Sequence, residues 1–170
     1  MVGMRIRPED PLDLSGIRAV NLAAFETSME ANLVEALRAL AAPIVSLVAE
    51  DAGAIVGHIL FSPVTLDAHP EIRVMGLAPM AVMPVRQRQG IGSTLIRDGL
   101  HACKRIGATA VVVLGHATYY PRFGFAPASR FGLKCQYDVP DEAFMAVEIE
   151  SGALQDRGGT VTYHPAFESV

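Results

Sequence analysis

A basic, glycine-interrupted segment near the middle of the chain has the residue types that bind phosphate. It links an apolar strand to an amphipathic helix and reads Pro84-Val85-Arg86-Gln87-Arg88-Gln89-Gly90-Ile91-Gly92-Ser93-Thr94. Gly90 and Gly92 let the backbone approach a ligand without an intervening β-carbon. The first turn of the helix offers N–H groups without helical partners, and an anion is stabilised there. The backbone of residues 87–93 is therefore predicted to hold a pyrophosphate, with Arg86 and Arg88 contacting it. The alternative is a tight structural turn.

Apolar strands are predicted on both sides of this segment. Residues 73–82 precede the turn and residues 108–115 follow the helix, which is predicted over about 90–106 with Gly107 as its C-terminal cap. Strand, turn, helix and strand form a βαβ unit, so the two strands should run parallel. A short aromatic motif comes next, with the sequence Tyr119-Tyr120-Pro121-Arg122-Phe123-Gly124-Phe125.

These motifs resemble the two signatures of the GNAT superfamily of N-acetyltransferases. The first is Gln87-x-x-Gly90-x-Gly92, the acetyl-coenzyme A (acetyl-CoA) signature, and the second is an aromatic residue four positions before Gly124-Phe125. Residues 57–64, and His116 leading into the second motif, are similar to a group of small bacterial acetyltransferases predicted largely from sequence. The resemblance implies transfer of acetyl from acetyl-CoA to a primary amine by direct attack, without a covalent enzyme intermediate.

The resemblance also implies roles for particular residues. The end of the fourth strand, formed by Ala81, Val82 and Met83, would carry the pantetheine arm, and a backbone N–H near Val82 would bond the acetyl carbonyl. A splayed gap between strands four and five would admit the cofactor. Tyr120 matches the family's tyrosine and is the candidate general acid for the departing thiolate. Its neighbour Tyr119 is interpreted as core or rim filler.

The general base is left open among three residues. Glu26 and Glu30 lie near the junction of the first two helices, where the family usually forms its acceptor pocket, and His116 lies just beyond strand five. A base can also act through water. The two glutamates have alternative roles, either attracting a cationic amine or solvating a helix. His58, in strand three, is interpreted as a packed, hydrogen-bonded histidine.

The remaining elements complete an α/β fold with a GNAT-like mixed, partly antiparallel central sheet. About seven strands are predicted, flanked by three to four helices, with strands four and five parallel and splayed. Ser28 is the predicted N-cap of the second helix. The predicted helices lie at 11–24, 29–41 and 90–106, and the strands at 4–7, 44–50, 54–66, 73–82, 108–115, 130–137 and 143–149, followed by an extended piece at 159–163.

Length and composition limit the classes to which the protein can belong. With 170 residues, 51% of them hydrophobic, the sequence is expected to form a single N-acetyltransferase domain over 1–170. No apolar run approaches the roughly 20 residues of a membrane span, and no secretory signal is recognised, so a cytoplasmic protein is expected. The two cysteines belong to no Cys/His cluster, which predicts no metal site. A net charge of -4 argues against a nucleic-acid partner.

Other classes lack their own motifs. A dinucleotide-binding fingerprint would need a small residue where Leu95 stands, and no GxxxxGK, GxSxG or HExxH pattern occurs. A CoA-binding sensor or interaction module without turnover stays as an alternative. So does transfer of a longer acyl chain, although the bulk of Met80 and Met83 favours acetyl. The acceptor amine, on a small molecule or a protein, is left open, as is a homodimer paired through the late strands.

Overall fold

The computed structural model describes residues 3–169, which form three α-helices and nine β-strands. Within them, no helix is both long and apolar enough to cross a membrane. The helices are α1 (Leu14–Ala24), α2 (Met29–Leu40) and α3 (Ile91–Arg105). The strands are β1 (Arg5–Pro8), β2 (Val45–Asp51), β3 (Ala54–Leu66), β4 (Val74–Val82), β5 (Ala110–Leu114), β6 (Ala126–Pro127), β7 (Leu133–Cys135), β8 (Phe144–Glu148) and β9 (Gly159–Thr162).

Seven of these strands form the central sheet, in the order β1-β2-β3-β4-β5-β8-β6. Neighbouring strands run antiparallel except β4 and β5, which run parallel and are connected through α3. β7 and β9 pair with each other, and β9 also pairs with the end of β3, where Thr65 lies opposite Thr162. The predicted α/β fold, with a mixed sheet of about seven strands, is confirmed.

α3 lies on one face of the sheet, and α1 and α2 lie on the other. Leu47 and Ile59 belong to the hydrophobic cluster that contains the buried side of α3. Val48 and Leu60, their neighbours in β2 and β3, pack instead with α1 and α2. Successive side chains of a strand point to opposite faces, so this alternation separates the helices into two layers.

α3 ends in the way the sequence predicts. Gly107 has a φ of 84°, which glycine adopts without strain. Its N–H donates to the carbonyl of Lys104, and the N–H of Ala108 donates to the carbonyl of Cys103, both at 3.0 Å. These two bonds form a Schellman motif, which caps the helix and directs the chain into β5.

The parallel strands β4 and β5 pair over only part of their length. The pairing runs from Val74 opposite Ala110 to Leu77 opposite Val113. β4 then continues to Val82, beyond the last paired residue. The predicted splay of these strands is therefore present, and it opens one edge of β4 toward a ligand.

A β-bulge lies where the two strands separate. On the other side of β4, Leu77 pairs with Phe61 and Met80 pairs with Ile59. Two residues of β4, Ala78-Pro79, thus oppose a single residue of β3. A bulge bends its strand and increases its twist, which accounts for the divergence of β4 from β5 at this point.

Two local predictions hold only in part. Ser28 occupies the predicted N-cap position of α2 but makes no side-chain capping bond, and the hydroxyl of Thr27 instead accepts from the N–H of Met29 at 3.2 Å. The predicted strand at 130–137 shortens to Leu133–Cys135, because Ala128–Phe131 forms a 3-10 helix. That helix ends at Gly132, whose φ of 73° interrupts an extended chain.

Candidate active site

The segment between β4 and α3 has an irregular backbone that a ligand-binding turn requires. Gly90 has a φ of 86° and directly precedes α3. Arg88 has a φ of 64°, which costs a residue with a β-carbon about 1 kcal/mol or more. Strain of this kind persists only where the surrounding structure imposes it, and it concentrates at ligand sites. The turn leads into the first N–H groups of α3, which are available to an anion.

Side-chain hydrogen bonds hold the turn in place. Nε2 of Gln87 donates to the carbonyl of Val82, the last residue of β4, at 3.1 Å. Nε of Arg86 donates to Oε1 of Gln89 at 3.1 Å. Arg86 also forms an ion pair with Asp51, at the end of β2, across 2.9 Å. The turn is thus fixed both to the splayed strand and to the β2–β3 hairpin.

Val82 directs its backbone polar groups into the gap between β4 and β5. The N–H of Met83 donates to the carbonyl of Val56 in β3 at 2.9 Å. Backbone groups alternate along an antiparallel strand, so Val82, which pairs with Gly57, faces away from β3. The Val82 carbonyl faces the same way, and it accepts its hydrogen bond from Gln87 rather than from β3. The Val82 N–H is therefore aimed at the open edge.

A cavity of about 880 Å³ passes along this open edge. Its walls come from the end of α1, the splayed part of β4, the basic turn, the start of α3 and the chain after β5. The lining residues are Ala24, Phe25, Met80, Val82, Arg86, Gln87, Arg88, Gly90, Ile91, Gly92, Ser93, His116, Thr118, Tyr119 and Arg122. The structure thus brings nine of the predicted site residues around one space, with Arg86 among them.

Six predicted site residues are absent from this lining. Ala81 is buried and pairs with His58. The others are Met83 directly after β4, Gln89 in the turn, Glu26 and Glu30 at the α1–α2 junction, and Tyr120 after β5. Their predicted contacts with cofactor or acceptor stay predictions. Among the three candidate bases, His116 is the one that faces the cavity, and it is exposed.

The adjacent tyrosines point in different directions. The hydroxyl of Tyr119 lies 3.2 Å from the position that a β-carbon on Gly92 would occupy, so it reaches the first turn of α3. The ring of Tyr120 packs edge to face on Phe125 and contacts the backbone at Gly115. Burial raises the pKa of the Tyr120 phenol to about 12. Tyr120 is therefore protonated at neutral pH, the form in which a phenol donates a hydrogen bond.

His58 lies in a buried polar chain beneath α1. Its Nε2 is 2.9 Å from the hydroxyl of Ser46, which donates in turn to the carboxylate of Glu9. Its Nδ1 is 3.4 Å from Nδ2 of Asn21, while Arg38 donates to both oxygens of Glu9. Burial lowers the pKa of His58 to about 4, so the ring is neutral at pH 7. His58 is a packed, hydrogen-bonded residue, as predicted.

Several cavity residues were not assigned to the site from the sequence. They are Ala24 and Phe25 at the end of α1, Thr118 and Arg122 after β5, and Tyr119, which was interpreted as filler. The guanidinium carbon of Arg122 lies over the ring of Tyr119, 4.7 Å from the ring centroid. Both residues belong to the second motif, and that motif was the one sequence signal that could have assigned them to the site. Residues 3–169 contain no group of three or more His, Cys, Asp or Glu side chains arranged to hold a metal ion.

Comparison with known proteins adds sequence relatives. The acetyltransferase (GNAT) domain model matches residues 43–127, a range that includes β4, the basic turn, α3 and β5. The N-acetyltransferase YhbS of Escherichia coli K12 is 36% identical over 165 residues, which cover 96% of this chain and 98% of that protein. The N-acetyltransferase YjhQ of the same strain is 44% identical over 137 residues, covering 78% of this chain and 76% of YjhQ.

Solved structures share the whole architecture. The crystal structure of YhbS from Escherichia coli in complex with CoA has a TM-score of 0.93 at 34% identity, covering 99% of this chain and 93% of that one. A GNAT family acetyltransferase from Brucella melitensis, in complex with acetyl-CoA, has a TM-score of 0.81 at 38% identity, covering 98% and 99%. With relatives more than 30% identical over nearly its full length, and with the splayed sheet and basic turn described above, the chain belongs to the GNAT superfamily of N-acetyltransferases.

Proposed function

We propose that this protein transfers the acetyl group of acetyl-CoA to a primary amine by direct attack of the amine on the thioester. The observation that carries the proposal is the single cavity that joins the basic turn, the splayed edge of β4 and the end of α1. One long ligand can place its phosphates at the turn and its reactive end near β4, which leaves the far end of the cavity for an acceptor.

The turn suits the pyrophosphate of acetyl-CoA. Arg86 and Arg88 line the cavity there, next to the N–H groups at the start of α3. A β-carbon on Gly92 would lie 3.2 Å from the Tyr119 hydroxyl, so glycine keeps this approach open. Phosphate oxygens bind well to backbone amides at a helix start, and arginine adds charge-assisted bonds. The crystallised relatives with CoA and acetyl-CoA support the same ligand here.

The open edge of β4 suits the acetyl group. The N–H of Val82 is aimed into the gap, where it can donate to the thioester carbonyl as negative charge develops on that oxygen. Because the donor belongs to a strand, it is already oriented before the reaction. Met80 lies on the same wall of the cavity and restricts its width, which favours acetyl over longer acyl chains.

Two proton transfers complete the reaction. The amine must lose a proton for its nitrogen to form the new bond to carbon, and His116, exposed on the cavity wall, is the proposed base, directly or through a water molecule. As the carbon–sulfur bond breaks, the thiolate takes up a proton. Tyr120 is the proposed donor, since burial keeps its phenol protonated. No cysteine participates, and burial raises the pKa of the Cys103 thiol to about 12.

Thermal unfolding with and without acetyl-CoA tests the proposal. A ligand that binds only the native state raises the melting temperature, by an amount set by its concentration relative to Kd. We expect a clear rise in the wild type and none in Gly90→Leu. Gly152→Leu is the matched control, because Gly152 has a similar φ of 80° but lies outside this cavity. The control should lose intrinsic stability to the same strain and keep the acetyl-CoA shift.

Two results would revise the proposal. An unchanged wild-type transition at saturating acetyl-CoA would leave the turn as a structural feature. A clear shift, with no acetyl transfer to any amine in a broad panel, would favour the CoA-binding module without turnover. Release of free CoA thiol, followed with a thiol reagent, distinguishes turnover from binding alone.

A further inference from the structure

The cavity crosses the sheet from one face to the other. α3 covers one face and α1 the opposite face, yet residues from the start of α3 and from the end of α1 line the same space. The passage lies at the splay between β4 and β5. On the proposed function the phosphates occupy the α3 side, so the acceptor occupies the α1 side, where Ala24 and Phe25 form the wall.

The α1 side of the cavity is apolar. Ala24 and the half-buried Phe25 line it. Met80, by contrast, points to the α3 side, where its side chain lies near Gly92. Two more apolar side chains flank this stretch of chain and are exposed, Leu22 at 43% and Met29 at 51%. Large apolar side chains gain free energy when a ligand covers them. This wall therefore favours an acceptor with an apolar group.

The charges of the cavity disfavour a second ammonium on the acceptor. On the proposed function Arg86 and Arg88 bind the cofactor phosphates, and none of the residues that line the cavity is acidic. An ammonium buried there without a carboxylate partner would lose its hydration uncompensated. Glu26 and Glu30 lie at the α1–α2 junction outside the lining, where they can attract one cationic amine toward the entrance.

We infer that the acceptor is a small primary monoamine carried on an apolar aryl or alkyl group. The inference rests on the proposed acetyl transfer and adds the substrate class. The apolar group packs against Phe25 and its neighbours, and the amine nitrogen points back toward β4 and His116. Diamines and polyamines are excluded by the missing carboxylates inside the cavity.

The test compares acceptors that differ at one end. Pentylamine and 1,5-diaminopentane have the same five-carbon chain, but the second carries an ammonium in place of one hydrogen of the terminal methyl group; 2-phenylethylamine adds an aryl group. With kcat/KM measured from CoA thiol release, we expect both monoamines to exceed the diamine by about tenfold or more. A peptide with an N-terminal phenylalanine presents the same chemistry from a macromolecule and should be acetylated more slowly than 2-phenylethylamine.

Variants and binding measurements separate the possible failures. Phe25→Ser should reduce the preference for 2-phenylethylamine over the diamine about tenfold, and the acetyl-CoA shift of its melting temperature shows that it is folded. Equal or faster turnover of the diamine overturns the inference while leaving acetyl transfer intact. Faster turnover of the peptide than of 2-phenylethylamine overturns the inference that the acceptor is a small molecule. Absence of any acetyl-CoA shift in the wild type overturns the proposed function and this inference together.

Discussion

The rings of Tyr119 and Tyr120 meet edge to face, with centroids 5.2 Å apart and planes at 81°. Consecutive residues thus serve two environments. Tyr119 lines the cavity and its hydroxyl reaches the start of α3, whereas Tyr120 is 8% exposed and packs on Phe125. This division predicts different kinetic effects for loss of each hydroxyl.

Removal of the Tyr120 hydroxyl should impair chemistry, and removal of the Tyr119 hydroxyl should impair binding. Tyr120→Phe is expected to lower kcat by about 100-fold or more, as for the loss of a general acid, with little change in Kd for CoA. Tyr119→Phe should raise that Kd about fivefold to tenfold, the loss of one hydrogen bond of about 1 kcal/mol. Steady-state kinetics and calorimetric titration with CoA measure the two effects. Reversal of the pattern would reassign the acid to Tyr119.

Replacement of Gly92 by alanine should weaken cofactor binding without reducing the stability of the protein. Alanine is a better helix former than glycine, so Gly92→Ala should leave the free energy of unfolding unchanged or raise it by up to about 1 kcal/mol. The new β-carbon would lie 3.2 Å from the Tyr119 hydroxyl and enter the cavity, which should raise Kd for CoA about tenfold. Combined with Tyr119→Phe the two effects should not add, because both act at one contact. An unchanged Kd in Gly92→Ala would contradict this view of the turn.

Much of the site could be predicted because its signals are local. The turn with Gly90 and Gly92 and the cap at Gly107 depend on residues close together in sequence, and the structure has both of them. Ser28 occupies the predicted N-cap position, but the neighbouring Thr27 supplies the hydroxyl oxygen that bonds a helix N–H. A propensity argument does not separate two such neighbours.

Long-range pairing accounts for what the sequence did not predict. β6 is a strand of two residues, Ala126–Pro127, defined by its contact with β8 rather than by any pattern of its own. The cavity role of Phe25 depends on α1 crossing the sheet toward the splay. The opposite directions of Tyr119 and Tyr120 depend on the backbone between β5 and β6, which no local rule gives.

Acid should destabilise the protein through His58. Burial lowers the pKa of His58 from 6.5 to about 4 in the native state, with Glu9 opposing this effect and Arg38 reinforcing it. Between these two values the unfolded chain binds more protons than the native state, so stability is full above pH 6.5 and falls as the pH drops toward 4. A pKa shift of this size corresponds to a loss of about 3 kcal/mol in the free energy of unfolding once the pH falls below both values.

Chemical denaturation from pH 7 to pH 4 measures this effect. His58→Gln can keep one hydrogen bond to Ser46 without an ionisable ring, and its stability should depend less on pH across the window. His101→Gln is the matched control, because His101 is exposed on α3 and its replacement should leave the pH profile unchanged. Parallel profiles for the wild type and His58→Gln would place the acid sensitivity in other groups, such as the carboxylates of Glu9 and Asp13.

Asp51 should strengthen cofactor binding although its charge has the same sign as phosphate. It forms an ion pair with Arg86 across 2.9 Å, while Arg86 also bonds Gln89 within the turn. These contacts hold a flexible side chain on the cavity wall before a ligand arrives, which lowers the cost of ordering it. Asp51→Asn should therefore raise Kd for CoA about threefold to tenfold. The free energy of unfolding should change by less than about 1 kcal/mol, because the pair is partly exposed.

A double-mutant cycle decides between this positioning role and simple repulsion. If Asp51 acts through Arg86, Asp51→Asn should have little effect on the Kd for CoA in an Arg86→Gln background. In the wild-type background, Asp51→Glu should bind CoA more tightly than Asp51→Asn does, because it keeps the carboxylate. If Asp51 only repels the phosphates, its neutralisation should lower Kd in both backgrounds, most strongly at low ionic strength. The two mechanisms predict opposite signs for the same substitution, so titration of the four proteins with CoA is sufficient to distinguish them.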